Sequence, residues 1–354
     1  MEPIVTLVVV CYNCNKWFDR FFASLRAQAI IDRCEVLMVD NSSTDGTAET
    51  CEREMKSWPN GRFLPTGDNF GFGGGCNFGA RQARGKYLFF LNPDIWFEPD
   101  CLEQLVRHAE VSSAKVFSAV ELKYDGLEFT PGVHGQGAPG FDIFGCTTAP
   151  SPKENLDELF AIGTFYFIRR DLFEKIGGFD KEFFVYGEEM DVSWRARVAG
   201  ESIELVRAAK LHHAASGSTD SVAKTTEFRR FYANRNQLLI ILKNSQGPML
   251  LLVFTHIALI SVEAVAGAVL ARKPSFLYSS FIKPIADTWR LRHYILAQRR
   301  FIKTYRQRGD WWIIRRFFRF KFGHWHDIQR FLKFKIKIDG SPIVVKKETT
   351  ALLK

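Results

Sequence analysis

Two apolar runs of strand length, IVTLVVV at residues 4 to 10 and CEVLMVD at 34 to 40, flank a stretch in which Trp17, Phe18, Phe21, Phe22 and Leu25 recur at helical spacing. A continuous β-branched run with no polar alternation suits a strand covered on both faces, the situation of a parallel sheet. Strand, helix and strand in that order make a βαβ unit. The pattern then repeats: NSSTDGTAE offers Ser, Thr and Asp caps for a helix near 46 to 56, and YLFFL at 87 to 91 is another short buried strand. Alternation at this interval predicts an α/β fold built on a mainly parallel sheet flanked by helices. In such sheets ligands sit beyond the carboxyl ends of the strands, where Asp40 and Asp94 both fall.

Between those two acids lies DNFGFGGGCNFGARQARGKYLFFLNPD, residues 68 to 94. It is not a Walker loop, because no Gly-Lys followed by Ser or Thr occurs. It is not a dinucleotide fingerprint either, since the glycine required after Gly71 and Gly73 is Cys76. Glycines here would still let backbone approach a large anionic ligand. From 120 to 158 the pattern dissolves into Gly, Pro and Asp, predicting a long loop or hairpin near a site. LFAIGTFYFIRRDLFEKIGGFD then reads as a strand, a helix and a Gly-Gly stop. EFFVYGEEMDVSWRARVAG follows as a helix opening with Glu188, Glu189 and Asp191. Acids at a helix start are favourable with no function at all.

The chain of 354 residues, 46% hydrophobic, can bury a large core. Its charge is unevenly spread. Of the net +9, residues 272–354 account for +16 through 21 Lys/Arg against 5 Asp/Glu, so residues 1–271 carry −7. Seven cysteines at 11, 14, 34, 51, 76, 101 and 146 form an odd set, and the C-x-x-C of Cys11 and Cys14 has no second pair to complete a metal site. Reduced thiols of a cytoplasmic protein are expected. No signal peptide is expected, since MEPIVTLVVVCYN has no basic segment ahead of its apolar run.

The C-terminal third has a different character. Residues 249–271 are long enough to span a bilayer, but His256 and Glu263 near the middle make a lone span costly. A helix in the membrane plane or packed on the body, a true span, and ordinary core are three open readings, in that order of preference. WWIIRRFFRFKF at 311–322 has the composition of a helix in a lipid interface, and FLKFKIKID at 331–339 alternates, placing Lys333, Lys335 and Lys337 on one strand face. Such a region calls for an anionic partner. A single-stranded nucleic acid would suit interleaved aromatics and cations, but no nucleic-acid module is present and the positive charge lies outside the α/β body.

Asp40, Asp94 and the 188–191 cluster make one candidate constellation. An acid after a buried strand can accept hydrogen bonds from a base or ribose, and another can hold a hard divalent cation that bridges a diphosphate. A third could take a proton from an attacking hydroxyl. By spacing alone each acid reads more readily as a helix cap or a turn residue than as part of a site.

VVVCYN, VDNSSTDGT, NFGFGGGCNFGARQARGKYLFFLNPD, GTFYFIRRDLFEKIGGFDKEFFVYGEEMDVSWRARVAG and LHHAASGS occur in the order found in family 2 glycosyltransferases. Across roughly residues 4–240 the chain resembles that family, especially its bacterial rhamnosyltransferase-like branch. The resemblance implies a GT-A fold over residues 1–243, with 244–354 as a basic, aromatic, membrane-associating region. It implies inverting transfer from a nucleotide-diphosphate sugar to a hydroxyl of a glycan, with a divalent cation, Mg²⁺ or Mn²⁺, at the cytoplasmic face of the inner membrane. Carried over by motif, Asp40 binds the nucleotide base, flanked by Tyr12 and Asn13, and Asp94 in Asn92-Pro93-Asp94 matches the last acid of the family's D-x-D metal motif. The first acid of that motif is absent, leaving one carboxylate for the metal. Asn69, Gly71, Gly75 and Asn77 match donor-site positions, with Arg81 and Arg84 either near phosphate or in solvent. Glu188-Glu189 stands where the family has Glu-Asp, which makes Glu189 the general base and Asp191 the reserve. His212 matches the family histidine that completes the metal site, with His213 as the alternative. A degenerate, non-catalytic sugar-nucleotide scaffold is the competing reading.

Overall fold

A computed structural model of the chain describes residues 2–122, 140–148, 158–161, 165–214 and 226–319. Strand β1 (Val5–Cys11), helix α1 (Phe18–Arg26) and strand β2 (Cys34–Asp40) form the βαβ unit, and every residue of both strands is buried. Helix α2 (Thr47–Lys56), strand β3 (Gly61–Pro65), helix α3 (Gly71–Ala80) and strand β4 (Tyr87–Leu91) extend it. Strand β5 (Ile95–Phe97), helix α4 (Cys101–Val111) and strand β6 (Val116–Leu122) follow. A two-strand hairpin, β7 (Gly140–Phe141) with β8 (Thr147–Thr148), comes next, then strand β9 (Phe165–Arg169), helices α5 (Arg170–Lys175) and α6 (Glu188–Val198), and strand β10 (Ile203–His213).

Eight strands pair in the order β3-β2-β1-β4-β9-β6-β10-β5. All couplings are parallel except those that β9 makes with β4 and β6 and that β5 makes with β10. In β1, Val8 and Val10 enter the core on one face while Leu7, Val9 and Cys11 enter the core on the other, as a two-residue period requires. Residues of α1, α2 and α4 fill the second core. The first takes residues of α3, α5 and α6 and, with them, residues from the C-terminal helices.

Those helices are α7 (Thr226–Asn244), α8 (Leu252–Ala271), α9 (Lys283–Arg290), α10 (Arg292–Tyr305) and α11 (Asp310–Phe317). Ile295, Ile302, Tyr305, Ile313 and Phe317 share a core with Trp194 and Val198 of α6, and the Gln307 amide donates to the Val198 carbonyl at 2.7 Å. Of the long loop or hairpin expected over 120–158, residues 120–122 end β6, 140–148 form the hairpin, and 123–139 and 149–157 lie outside the described residues. The strand expected at 331–339, with Lys333, Lys335 and Lys337, lies outside the described residues, as do 320–322 of the expected interface helix.

One expected element differs. The glycines of NFGFGGGCNFG lie within α3 itself rather than in a loop ahead of a helix. An added Cβ at Gly75 would come 2.7 Å from Val10 Cγ1. Glycine is a poor helix former, so packing on the sheet, not propensity, makes this helix.

Candidate active site

The exits of β1 and β2 are laced together. Cys11 and Asp40 are register partners, and the Asn41 amide donates to the Cys11 carbonyl at 2.9 Å. Asn13, in the left-handed region with φ of +49°, accepts from the Thr44 amide at 2.8 Å, and its own amide donates to Ser43 Oγ at 3.0 Å. Tyr12 beside it is half-buried. Asp40 is buried; its Oδ2 accepts from the Ser43 amide at 3.2 Å, while its Oδ1 has no hydrogen-bond partner. The same holds for Oδ1 of Asn41, whose Nδ2 donates to the Gly71 carbonyl at 2.9 Å. A buried, unpaired acceptor is costly unless a ligand supplies the donor. Asn41 was not singled out in the sequence; its signal was adjacency to Asp40.

Two strands along, β4 runs into Asn92, which is half-buried, and Asp94. Because β2 and β4 run parallel, Asp94 leaves the sheet at the same carboxyl edge as Asp40. The Asp94 carbonyl accepts from the Ala214 amide at 2.9 Å, which ties it to the exit of β10. Of the two histidines there, His213 faces Asp94: its Nε2 lies 3.4 Å from Asp94 Oδ2, and its Nδ1 is 2.9 Å from Glu121 Oε1. Burial lowers the His213 pKa, but the two carboxylates outweigh burial and hold it up at about 9. His212 points the other way, to Glu98 Oε1 at 2.7 Å and flat against Trp96. The expectation for His212 is therefore corrected, because consecutive residues of a strand present opposite faces.

Both Asp94 oxygens are buried without a directed hydrogen bond, the 3.4 Å approach of His213 being an ion pair of poor hydrogen-bond geometry. A hard divalent cation suits such a carboxylate, and an acid held against the far ring nitrogen, as Glu121 is against His213 Nδ1, fixes the tautomer and orientation of a ligating histidine. Among the described residues no group of three or more His, Cys, Asp and Glu converges on a point. Among the described residues Asp94 and His213 are two potential donors brought together, and Mg²⁺ or Mn²⁺ commonly completes its coordination with substrate phosphate oxygens and water.

The 188–191 cluster reaches the same edge from the face of the sheet. Tyr166 of β9, opposite Phe90 of β4, shares a 3.0 Å hydrogen bond with Ser193 Oγ, so α6 lies over β9. Arg197 at its far end reaches the Ile203 carbonyl where β10 begins. The helix start therefore sits toward the carboxyl edge. The turn into it is left-handed at Tyr186 (φ +69°) and Gly187 (φ +88°), and it is held by Asn236 of α7, whose Nδ2 donates to the Val185 and Tyr186 carbonyls at 2.9 and 2.6 Å. Glu188 is buried with Oε2 unpaired; burial and the neighbouring Glu189 push its pKa up to about 8. Glu189 is half-buried, and burial raises its pKa too, against backbone hydrogen bonds that lower it. Asp191 is withdrawn from any reacting role: it is fully buried and accepts from Arg195 Nε at 2.9 Å and Asn244 Nδ2 at 2.8 Å, with Lys243 Nζ at 3.0 Å.

Several donor-site expectations are corrected as well. Gly71, with φ of +70°, packs so closely that an added Cβ would lie 2.1 Å from the Phe184 carbonyl oxygen, and Gly75 faces Val10 and Asn41. Asn77 spends both ends of its amide on Phe179, accepting from its N–H at 2.9 Å and donating to its carbonyl at 2.8 Å. These residues seat α3 between the β2 exit and the turn before α6. Asn69 Oδ1 accepts from the Gly71 amide at 2.9 Å. Arg84 pairs with buried Glu35 at 2.8 Å, at the opposite edge of the sheet, and Arg81 is exposed over Phe78. The Cys11–Cys14 pair is buried, and burial raises the Cys11 thiol well above its ordinary range.

Comparison with known proteins places this geometry. Residues 6–177 match the model of "Glycosyl transferase family 2". The chain is 28% identical over 243 residues to the N-acetylglucosaminyl-diphospho-decaprenol L-rhamnosyltransferase of Mycobacterium tuberculosis, covering 61% of this chain and 78% of the relative. It is 24% identical over 225 residues to rhamnosyltransferase WbbL of Escherichia coli K12, covering 58% and 81%. Among solved structures, GalNAc-T7 with UDP, GalNAc and Mn²⁺ aligns with a TM-score of 0.62 at 14% identity, over 89% of this chain but only 56% of that one. Staphylococcus aureus TarS 1–349 with UDP-GlcNAc aligns at 0.56 and 16% identity over 86% and 89%. At that identity the structures speak for the fold alone, and the fold is GT-A.

Proposed function

Because the chain belongs to glycosyl transferase family 2 through its domain at residues 6–177, we propose that it transfers a sugar with inversion from a nucleotide-diphosphate sugar, dTDP-L-rhamnose foremost, to a hydroxyl of a lipid-diphosphate-linked glycan. The product would enter a bacterial cell-surface polysaccharide. The rhamnosyltransferase names of two relatives support the donor, and the decaprenol-diphosphate acceptor in one name supports the acceptor. UDP in one solved neighbour and GDP-mannose with Mn²⁺ in another support a nucleotide sugar and a divalent cation. One observation carries the reading: a half-buried glutamate at the start of α6 lies toward the same sheet edge as two buried carboxylates, Asp40 and Asp94, that have unpaired oxygens.

Asp40 Oδ1, with Asn41 Oδ1 beside it, accepts hydrogen bonds from the nucleotide, and Tyr12 and Asn13 border the same place. Asp94 and His213 would hold Mg²⁺ or Mn²⁺, which when bound supplies positive charge to the leaving diphosphate. Glu189 takes the proton of the acceptor hydroxyl as its oxygen attacks the anomeric carbon opposite the leaving group. That single displacement through an oxocarbenium-like state inverts the centre. Its raised pKa suits a base that must hold a proton once it has taken one.

Residues 244–354 would serve attachment to the cytoplasmic face of the inner membrane, a division of function rather than of packing. Glu189→Gln is expected to cut transfer by about 10²-fold or more while leaving the donor-induced rise in melting temperature intact. Undiminished turnover in that variant would remove Glu189 from the mechanism. Donor hydrolysis or transfer by purified wild-type protein separates this reading from a non-catalytic scaffold.

A further inference from the structure

Helix α8 presents two unlike faces. His256, Ile260, Ala264 and Gly267 are buried, and His256 and Glu263 turn toward protein. His256 Nδ1 is 3.1 Å from the Phe144 carbonyl oxygen, and Glu263 pairs with Arg230 of α7. A Cβ at Gly267 would come 2.3 Å from the Phe276 ring. On the opposite side Leu251, Phe254, Ala258, Val262, Val265 and Val269 are exposed at intervals of three and four, which is one continuous stripe. Phe254 is 71% and Val262 68% exposed. This inverts the usual arrangement of a soluble helix: the outward face is apolar except for Ser261 at its flank, whose Oγ donates back to the Ala258 carbonyl at 2.8 Å.

The charges around it are equally one-sided. Between 272 and 319 the exposed charged residues are all cations, among them Arg272, Lys273, Lys283, Arg290, Arg292 and Arg300. The two acids of that span are turned to other work. Asp287 pairs with Arg235 at 3.1 Å, and Asp310 accepts from the Gln246 and Met249 amides. Trp289 and Trp311 stand exposed among those cations. An apolar stripe followed in the chain by a segment whose exposed charges are all cations complements an anionic lipid surface.

We propose that α8 lies in the plane of an anionic phospholipid interface, its Leu251-to-Val269 stripe in the acyl boundary and the 272–316 cations at the headgroups. It does not cross the bilayer, because half of its circumference is committed to protein. This rests on the transferase reading and deepens it. From α8 the contacts run through Arg230 to α7, and from Asn236 of α7 to the turn that carries Glu188 and Glu189. The interface and the base are thereby joined by one helix, which suits an acceptor presented from the lipid.

Full-length protein is floated with vesicles of phosphatidylethanolamine and phosphatidylglycerol, and with vesicles of phosphatidylcholine alone. Wild type is expected to float with the first and weakly with the second. Phe254→Asp/Val262→Asp should reduce binding about tenfold or more, and Arg272→Glu/Lys273→Glu/Arg292→Glu should erase the preference for the anionic vesicles. Alkaline carbonate should release the bound wild type. Unchanged flotation of the stripe variant, resistance to carbonate, or a lipid-free dimer that the stripe variant abolishes without any vesicle binding would each overturn the proposal. Donor-induced thermal shift and transfer to a water-soluble acceptor, read on the same preparations, show that the variants are folded. They also keep a failure of the surface apart from a failure of the transferase reading.

Discussion

Glu188 and Glu189 are neighbours with different surroundings, and the difference assigns their roles. Glu188 is buried with its pKa raised to about 8, so folding favours its neutral form. Its contribution to stability is fully present below the ordinary carboxyl range and is lost as pH rises toward 8, since the unfolded chain ionises first. Glu188→Gln is therefore expected to melt a few degrees higher than wild type at pH 8 and close to it at pH 4, measured by calorimetry. A variant less stable than wild type at pH 8 would contradict the neutral assignment. Gly79 tests the packing role of the glycines: an added Cβ would come 2.4 Å from Val8 Cγ1. Gly79→Ala should cost about 1–3 kcal/mol in denaturant unfolding. Asp40 was legible because an acid ends an unbroken apolar run, whereas choosing between His212 and His213 was not. Which of two adjacent strand residues faces a site depends on register with β5, and nothing local records it.

At the scale of elements, β1, β2, β4 and β9 could be read from the sequence because burial on both faces leaves an unmistakable run, and the helix expected near 46–56 is found at Thr47–Lys56. The glycine helix could not, for its reason to be helical lies in Val8, Val10 and Phe184, which are distant in sequence. Helix α7 was also unrecognised as part of the site, yet it holds both the turn before α6 and the ion cluster beneath it. Lys243 pairs with Asp180 and Asp191, all three buried. Removing one partner leaves carboxylates buried short of a cation, so Lys243→Ala should lose about 3–5 kcal/mol. Asn236→Ala should act more locally, lowering turnover while the donor-induced thermal shift persists. Equal losses of donor binding and turnover would show that Asn236 does more than set the turn.

Across the whole molecule the charge asymmetry seen in the sequence becomes spatial. The proposed site draws Asp40, Asp94 and Glu189 from one edge of the sheet, and the exposed charges of 272–319 on the C-terminal helices are cations. The most direct measurement is a thermal-shift panel of nucleotide-diphosphate sugars with and without Mg²⁺ or Mn²⁺, run on wild type, Asp40→Asn, Asp94→Asn and Glu189→Gln. A donor that binds only the native state raises its melting temperature by mass action. The expected result is one donor whose stabilisation of wild type grows with the cation, is lost in Asp40→Asn, loses its cation-dependent part in Asp94→Asn, and survives in Glu189→Gln, where transfer is abolished. Stabilisation indifferent to both aspartates, or transfer undiminished in Glu189→Gln, would contradict the gathering of these three acids around one sugar diphosphate.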